Sequence, residues 1–175
     1  MIIRYIEEKT ESLLARMGIN EAPVDPIKCA KFLNVDVQKA DMDSDISGLF
    51  VIKDNVAYIR YNASEKNIKR LRFTIAHELG HFVLHKSIPF ILEKGKSEKV
   101  MFRNAISSTG EVHREREANA FAASLLMPKY LINKEINELG DSPNLVASLA
   151  EIFNVSNEAM TFRLANLEML EYGLF

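Results

Sequence analysis

The chain has 175 residues, of which 47% are hydrophobic and 26% are charged, and its formal net charge is −2. This length suits one domain with a hydrophobic core, and the charge gives no indication of a nucleic-acid or anionic-membrane partner. A single cysteine, Cys29, excludes an internal disulfide framework and is typical of a reducing compartment. No segment is apolar for long enough to cross a bilayer, so we expect a cytoplasmic protein without a membrane partner.

Residues 1–20 predict an amphipathic helix, because apolar side chains recur at helical spacing among charged ones. The segment has no uninterrupted apolar run of the kind that a secretory signal requires. Asp25-Pro26 predicts the start of a second helix, with Asp25 as its cap. Cys29 falls within this helix, and we expect it to be a small core residue.

The next segment predicts a small β-sheet. A first strand is expected at 35–38, and two β-rich runs at 48–53 and 56–61 are separated by Asp54-Asn55, a typical hairpin turn. Polar residues 62–64 predict the end of the hairpin and the cap of a long helix. The hairpin edge is either a plain core element or a surface on which an extended substrate strand can pair.

The long helix carries His77-Glu78-Leu79-Gly80-His81. Histidines four residues apart leave the same face of a helix and can bind one metal ion. Glu78 lies beside His77, close enough to reach a water but badly placed to act as a ligand together with both histidines. This is the arrangement of zinc hydrolases, so we expect one Zn²⁺, bound by His77 and His81, with Glu78 as the catalytic residue.

A tight zinc site needs a third protein ligand. His85 lies eight residues beyond His77 in the sequence, which is about 12 Å along a continuous helix. Zinc ligands lie within about 2.0–2.3 Å of the ion, so His77, His81 and His85 cannot share one. We expect His85 to orient a ligand or to be a helix-end residue.

The helix predicted at 113–127 offers better candidates. Its buried face is expected to consist of Ala118, Phe121, Ala122, Leu125 and Leu126. Glu115 lies within about 50° of the centre of that face, which favours it as the third ligand. Glu117 lies more than about 100° away, which predicts that its side chain is solvated. Asn119 follows one turn after Glu115 and is well placed to orient a ligand. Glu117 and His113 stay open as alternative ligands, and His113 also as a stabiliser of the transition state.

Two segments together resemble the ImmA/IrrE family of metallopeptidases. They are Arg72-Phe-Thr-Ile-Ala-His-Glu-Leu-Gly-His81 and Glu115-Arg-Glu-Ala-Asn-Ala-Phe-Ala-Ala-Ser-Leu-Leu-Met-Pro128. The resemblance extends to the helix at 25–30, the hairpin entry at 46–49 and residues 101–103, and so covers nearly the whole chain. Asn119 departs from thermolysin-like enzymes, which have Asp at this place.

The resemblance implies a gluzincin-like protease with His77, His81 and Glu115 as zinc ligands and Glu78 as the catalytic acid and base. The family is associated with cleavage of helix-turn-helix repressors of prophages, integrative elements and stress regulons. An anti-repressor of this kind would take such a repressor as its protein partner. A further donor is needed to stabilise the oxyanion, and the sequence does not distinguish between the candidates Tyr61, His113 and Arg103.

The expected fold class is α+β. A zincin-like domain at 1–128 would carry an antiparallel sheet of about three strands packed on the active-site helix. A C-terminal helical subdomain at 129–175 would pack on it as part of one cooperative unit. Helices are predicted there at 128–139, 144–153 and 157–170, and the last two have the rhythm of a helix-turn-helix.

That rhythm gives a rival hypothesis, a DNA-binding regulator with a structural metal site. The segment 141–175 argues against it, because it has five acidic residues and one basic residue, Arg163, which gives −4 where phosphates would bind. We therefore expect no direct DNA binding; the acidic helices could instead attract the basic face of a repressor. A third hypothesis is a non-proteolytic role, such as a toxin–antitoxin partner that binds a regulator without cutting it.

Overall fold

The computed structural model describes residues 2–85, 108–140 and 142–169. In chain order the elements are α1 (Ile2–Arg16), α2 (Pro26–Phe32), β1 (Val35–Ala40), β2 (Gly48–Lys53), β3 (Val56–Asn62), α3 (Ile68–His85), α4 (Ser108–Leu126), α5 (Lys129–Leu139), α6 (Leu145–Ile152) and α7 (Asn157–Asn166). The α+β class with a three-stranded sheet is confirmed. The short strand suggested near residues 101–103 lies outside the described residues.

Local signals placed the second helix and the hairpin correctly. The Asp25 side chain accepts a hydrogen bond from the backbone N–H of Ile27 at 2.9 Å, which satisfies a donor at the start of α2. In the hairpin, Asp54 and Asn55 have φ angles of 52° and 61°. Positive φ at both central residues is the mark of a turn whose twist matches the strands that it joins.

The sheet is mixed, and the expectation of a wholly antiparallel sheet was wrong. Its strand order is β1-β3-β2, with β2 antiparallel and β1 parallel to β3. A hairpin can approach a third strand with either of its own strands, and this choice sets the direction of pairing. Here β3 takes the central position, with Ile59 fully buried, and β2 becomes an edge strand.

The start of α3 also differs from the prediction. Residues 62–64 do not cap this helix, because Asn62 is occupied elsewhere: its amide donates to the carbonyls of Asp43 at 3.0 Å and Ile46 at 2.8 Å. Asn67 lies next to the first helical residue, and its side chain accepts from the backbone N–H of Arg70. Asn62 therefore fixes the loop before β2, and Asn67 begins the helix.

One hydrophobic core extends from α1 and α2 through the sheet, α3 and α4 to α5, α6 and α7. Ile75 and Leu79 of α3 are buried, and Phe82 packs edge-on against Phe50 of β2 with ring centroids 5.7 Å apart. The helix α4 begins at Ser108, five residues earlier than predicted, and all five residues predicted for its buried face are inaccessible to solvent. The two helices that carry the candidate site are thus held by one apolar core.

Helix α7 is joined to α1 by an ion pair between a buried guanidinium and a partly buried carboxylate. The guanidinium of Arg163, on α7, donates to the Glu7 carboxylate of α1, with Nη2 2.8 Å from Oε2. It also donates from Nε to the carbonyl of Met127 at 2.9 Å. None of the helices in the described residues combines the length and apolarity needed to span a bilayer.

Candidate metal centre

Three predicted ligand atoms converge between α3 and α4. His77 Nε2 and His81 Nε2 lie 3.0 Å apart. Each is 3.2 Å from an oxygen of the Glu115 carboxylate, Oε2 for His77 and Oε1 for His81. Ligands at zinc distances in a tetrahedral site are separated by about 3.3 Å, so the three groups fit one ion of this kind.

A close approach of the two helices brings Glu115 to the histidines. Gly80 lies on α3 against Ala118 and Phe121 of α4. A Cβ at position 80 would lie 3.1 Å from both the Cα and the carbonyl oxygen of Ala118 and from the Cβ of Phe121. The missing side chain therefore lets α4 approach within reach of His77 and His81.

The remaining ring nitrogens of both histidines are hydrogen-bonded. His77 Nδ1 is 2.9 Å from Asn119 Oδ1, as expected for a residue one turn beyond Glu115. His81 Nδ1 is 3.2 Å from Nδ1 of His85, so His85 contacts a ligand candidate without joining the cluster. Fixing the second nitrogen sets the tautomer and the orientation of a metal-binding imidazole.

The prediction that Glu117 is solvated was wrong. Its Oε2 lies 2.9 Å from Nε2 of His85, and its side chain is 29% exposed, compared with 52% for Glu115. At about 100° per residue, Glu115 and Glu117 lie on opposite sides of Ala118, which faces α3 directly. Both flanks of α4 reach α3 there, a consequence of helix crossing that a single-helix projection cannot reveal.

Burial changes the ionisation of two groups in the site. The pKa of His81 is lowered to about 3, first by burial and then by the nearby His77, His85 and Arg114. His81 is therefore a neutral imidazole at physiological pH, which is the form that binds metals. The pKa of Glu78 is raised to about 8, first by burial and then by the negative charge of Glu115. A cation between the ligands would lower the Glu78 pKa, because its positive charge would stabilise the carboxylate and offset the charge of Glu115.

A cleft of about 440 Å³ opens beside the cluster and is lined in part by His77, Glu78, Thr74 and Gly48. Gly48 begins the edge strand β2, where an added Cβ would lie 2.6 Å from the Thr74 methyl and 3.5 Å from Glu78 Cγ. This glycine lets the edge strand come close to Glu78. In the described part of the chain, no strand pairs with the outer edge of β2.

The three candidates for oxyanion stabilisation are not gathered at the cluster. Tyr61 lies on β3 opposite Gly48, and His113 is exposed on the first half of α4. Within the described residues, neither forms a hydrogen bond or ion pair with His77, His81 or Glu115. Arg103 lies outside the described residues.

Comparison with known proteins assigns the chain to a family. The family model Peptidase_M78, described as an IrrE N-terminal-like domain, matches residues 30–165. The chain belongs to this family. Members of Peptidase_M78 are named as peptidases, and the matched range of this one includes His77, Glu78, His81 and Glu115.

One curated relative in this comparison is named "Uncharacterized immunity region protein 2", from Bacillus phage phi105. It is 28% identical over 114 residues, which are 64% of this chain and 64% of that protein. The alignment thus spans less than two thirds of the relative's length.

A solved structure described as a Mycobacterium tuberculosis transcriptional regulator has a TM-score of 0.63 with this member of the Peptidase_M78 family. The match covers 93% of this chain and 46% of that one, at 18% sequence identity. At this identity the likeness concerns the fold alone. It supports the α+β architecture with packed C-terminal helices.

Sequence reasoning missed two features of the centre. The first is the contact between Glu117 and His85, for which the only local signal was the recurrence of histidine at 77, 81 and 85. The second is the role of Gly80. Glycine inside a long helix usually has a packing reason, and that signal was present in the sequence.

Proposed function

We propose that this protein is a zinc-dependent endopeptidase that cleaves a helix-turn-helix transcriptional repressor. The observation that carries the proposal is the convergence of His77, His81 and Glu115, with Glu78 beside them in a cleft. Membership of a peptidase family supports the reaction class. The similarity to a phage immunity region protein supports the choice of a repressor as substrate.

His77, His81 and Glu115 would hold the ion, with Asn119 orienting His77. When bound, zinc supplies a Lewis acid that polarises the peptide carbonyl and acidifies water. Three protein ligands leave a position open, as catalytic zinc sites require.

Glu78 would move the protons. It does not belong to the three-residue cluster, yet it lines the same cleft as His77. Its carboxylate would accept a proton from the attacking water and pass it to the leaving amine. Because the partly buried Glu78 would carry the proton from the water to the amine, the proton would stay inside the cleft.

The edge strand β2 would align the substrate. An extended peptide can add to such an edge through main-chain hydrogen bonds, with its scissile bond over the cleft. Gly48 supports this path because it brings the strand close to Thr74 and Glu78.

The C-terminal helices favour protein docking over DNA binding. The single basic residue of 141–175, Arg163 on α7, is 4% exposed and is bound to Glu7, so it cannot reach a phosphate. The acidic side chains Glu151, Glu158 and Glu168 are exposed. Such a surface repels nucleic acid and would attract the basic face of a repressor.

The test mixes the purified protein, zinc and the repressor encoded beside its gene, and reads fragments by mass spectrometry. We expect cleavage at one or few sites, weaker at high salt because exposed charges are screened. Glu78→Gln should keep stoichiometric zinc and lose cleavage, whereas Glu115→Ala should lose both.

Casein serves as the specificity control. Casein cleaved as readily as the repressor would refute the proposed selectivity. Tight binding of an intact repressor under every condition, with zinc present, would favour a non-proteolytic role. If Glu78→Gln lost zinc as completely as Glu115→Ala, the role assigned to Glu78 would be wrong.

A further inference from the structure

We propose that Glu117 and His85 form a hydrogen-bonded chain that positions His81 for metal binding. The inference rests on the metal site proposed above. It assigns a task to two residues that are not ligands, one of which lies on the flank of α4 facing away from Glu115.

The chain is continuous and largely buried. His81 Nδ1 is 3.2 Å from His85 Nδ1, and His85 Nε2 is 2.9 Å from Glu117 Oε2. The side chains of His81, His85 and Glu117 are 10%, 7% and 29% exposed. Water therefore has little access to replace these contacts, and each bond is strengthened by its low-dielectric surroundings.

The direction of every hydrogen bond follows from one requirement. A metal ligand at His81 Nε2 needs its lone pair there, so the ring proton must be on Nδ1. That proton is donated to His85 Nδ1, and His85 must then carry its own proton on Nε2. The Nε2–H of His85 donates to the Glu117 carboxylate, which only accepts. Glu117 thus selects the tautomer of His85, and His85 selects that of His81.

The two metal-binding histidines are oriented by different devices. His77 donates to the amide oxygen of Asn119, whereas His81 depends on a residue of its own helix that is held by α4. Loss of the His81 partner should therefore weaken the metal site while the His77 contact is retained.

The experiment measures zinc affinity by competition with a chromogenic chelator, and urea unfolding of the metal-free proteins. His85→Phe keeps the ring volume and removes the acceptor, so zinc affinity should fall about 10- to 100-fold, the usual effect of losing such a partner. His85→Asn keeps an acceptor near the Nδ1 position and should restore part of the affinity. Glu117→Gln should cause a smaller loss than His85→Phe.

A double variant distinguishes a positioning role from general structural support, because the two losses of zinc affinity should then not add. Because Glu117 acts through His85, His85→Phe combined with Glu117→Gln should bind zinc as His85→Phe does. Glu151→Gln, an exposed carboxylate on α6, is the matched control and should leave affinity unchanged.

The outcomes separate this inference from the proposed function. Wild-type protein without zinc affinity would overturn both. Wild-type protein that binds zinc, with affinity unchanged in His85→Phe or with additive losses in the double variant, would overturn the positioning chain alone. If His85→Phe does not fold, unchanged affinity in both His85→Asn and Glu117→Gln would overturn it.

Discussion

His77 and His81 are each oriented by a hydrogen bond at Nδ1, the ring nitrogen that does not face Glu115. The helical spacing of His77 and His81 puts two imidazoles on one face, but spacing leaves each ring free to rotate and to change tautomer. Asn119 restricts the first ring and His85 the second. Oriented ligands lose less conformational freedom on binding, and this contributes to metal affinity.

Burial also makes the thiol of Cys29 harder to ionise. Burial first, and then the charge of Asp25, raises the pKa of its thiol from 9.0 to about 12. The thiolate is the reactive form, so at pH 8 the native thiol should react with a disulfide reagent about 1,000-fold more slowly than the unfolded one. The absorbance of the released chromophore, with and without denaturant, gives the two rates.

The same shift predicts a dependence of stability on pH. The unfolded thiol ionises near 9.0 and the folded thiol near 12, so the contribution of Cys29 is complete below pH 9 and is lost as the pH rises towards 12. In the reaction with the disulfide reagent, equal rates for native and unfolded protein would contradict the burial of the Cys29 thiol.

At the scale of elements, the distance between α3 and α4 determines whether a third ligand candidate is available. Glu115 reaches two histidines on another helix, so its position depends on the helix contact at Gly80. Gly48 has the corresponding role between β2 and α3. The candidate ligand cluster and the cleft thus depend on two separate close approaches.

Gly80→Ala should weaken both zinc binding and stability. Alanine gains up to about 1 kcal/mol in helix propensity, but overpacking against the backbone of Ala118 costs about 1–3 kcal/mol, so net destabilisation is expected. Zinc competition and urea unfolding of the variant measure the two effects.

Gly48→Ala is the matched comparison. Its new methyl would crowd Thr74 and not α4, so the zinc affinity should be retained while peptide cleavage falls. Equal zinc affinity in Gly80→Ala and wild type would show that α4 can shift without moving Glu115.

At the scale of the whole molecule, the ion pair between Glu7 and Arg163 links the two ends of the chain. The Glu7 carboxylate also accepts a hydrogen bond from Ser124 of α4 at 3.0 Å. Three helices far apart in sequence therefore meet at one buried charge pair. We therefore expect 1–128 and 129–175 to unfold as one unit.

Glu7→Ala should destabilise the protein by about 3–5 kcal/mol, because it leaves the buried Arg163 charge without its partner. Urea unfolding followed by circular dichroism should show a single transition in both wild type and variant. Glu8→Ala, which removes an exposed pair with Arg4, is the control and should cost at most about 0.5 kcal/mol. Two separate transitions would mean that the C-terminal helices form an independent domain.

The sequence by itself determined the features that depend on neighbours within about one helical turn. The Asp25 cap, the Asp54-Asn55 turn, the pairing of His77 with His81 on one face and the inward phase of α4 all follow from local geometry. These signals each lie within a single helix or turn, so they could be read without knowing how the elements pack. The ligand roles of His77, His81 and Glu115 stay predictions.

Only the tertiary structure decided the features that depend on how elements cross. It placed β3 at the centre of the sheet, which made the pairing with β1 parallel. It also brought Glu117 to His85, although its position on α4 predicted exposure. Both outcomes depend on contacts between residues more than 20 positions apart, whose relative placement is set by packing of the whole core and not by the local conformation of any segment.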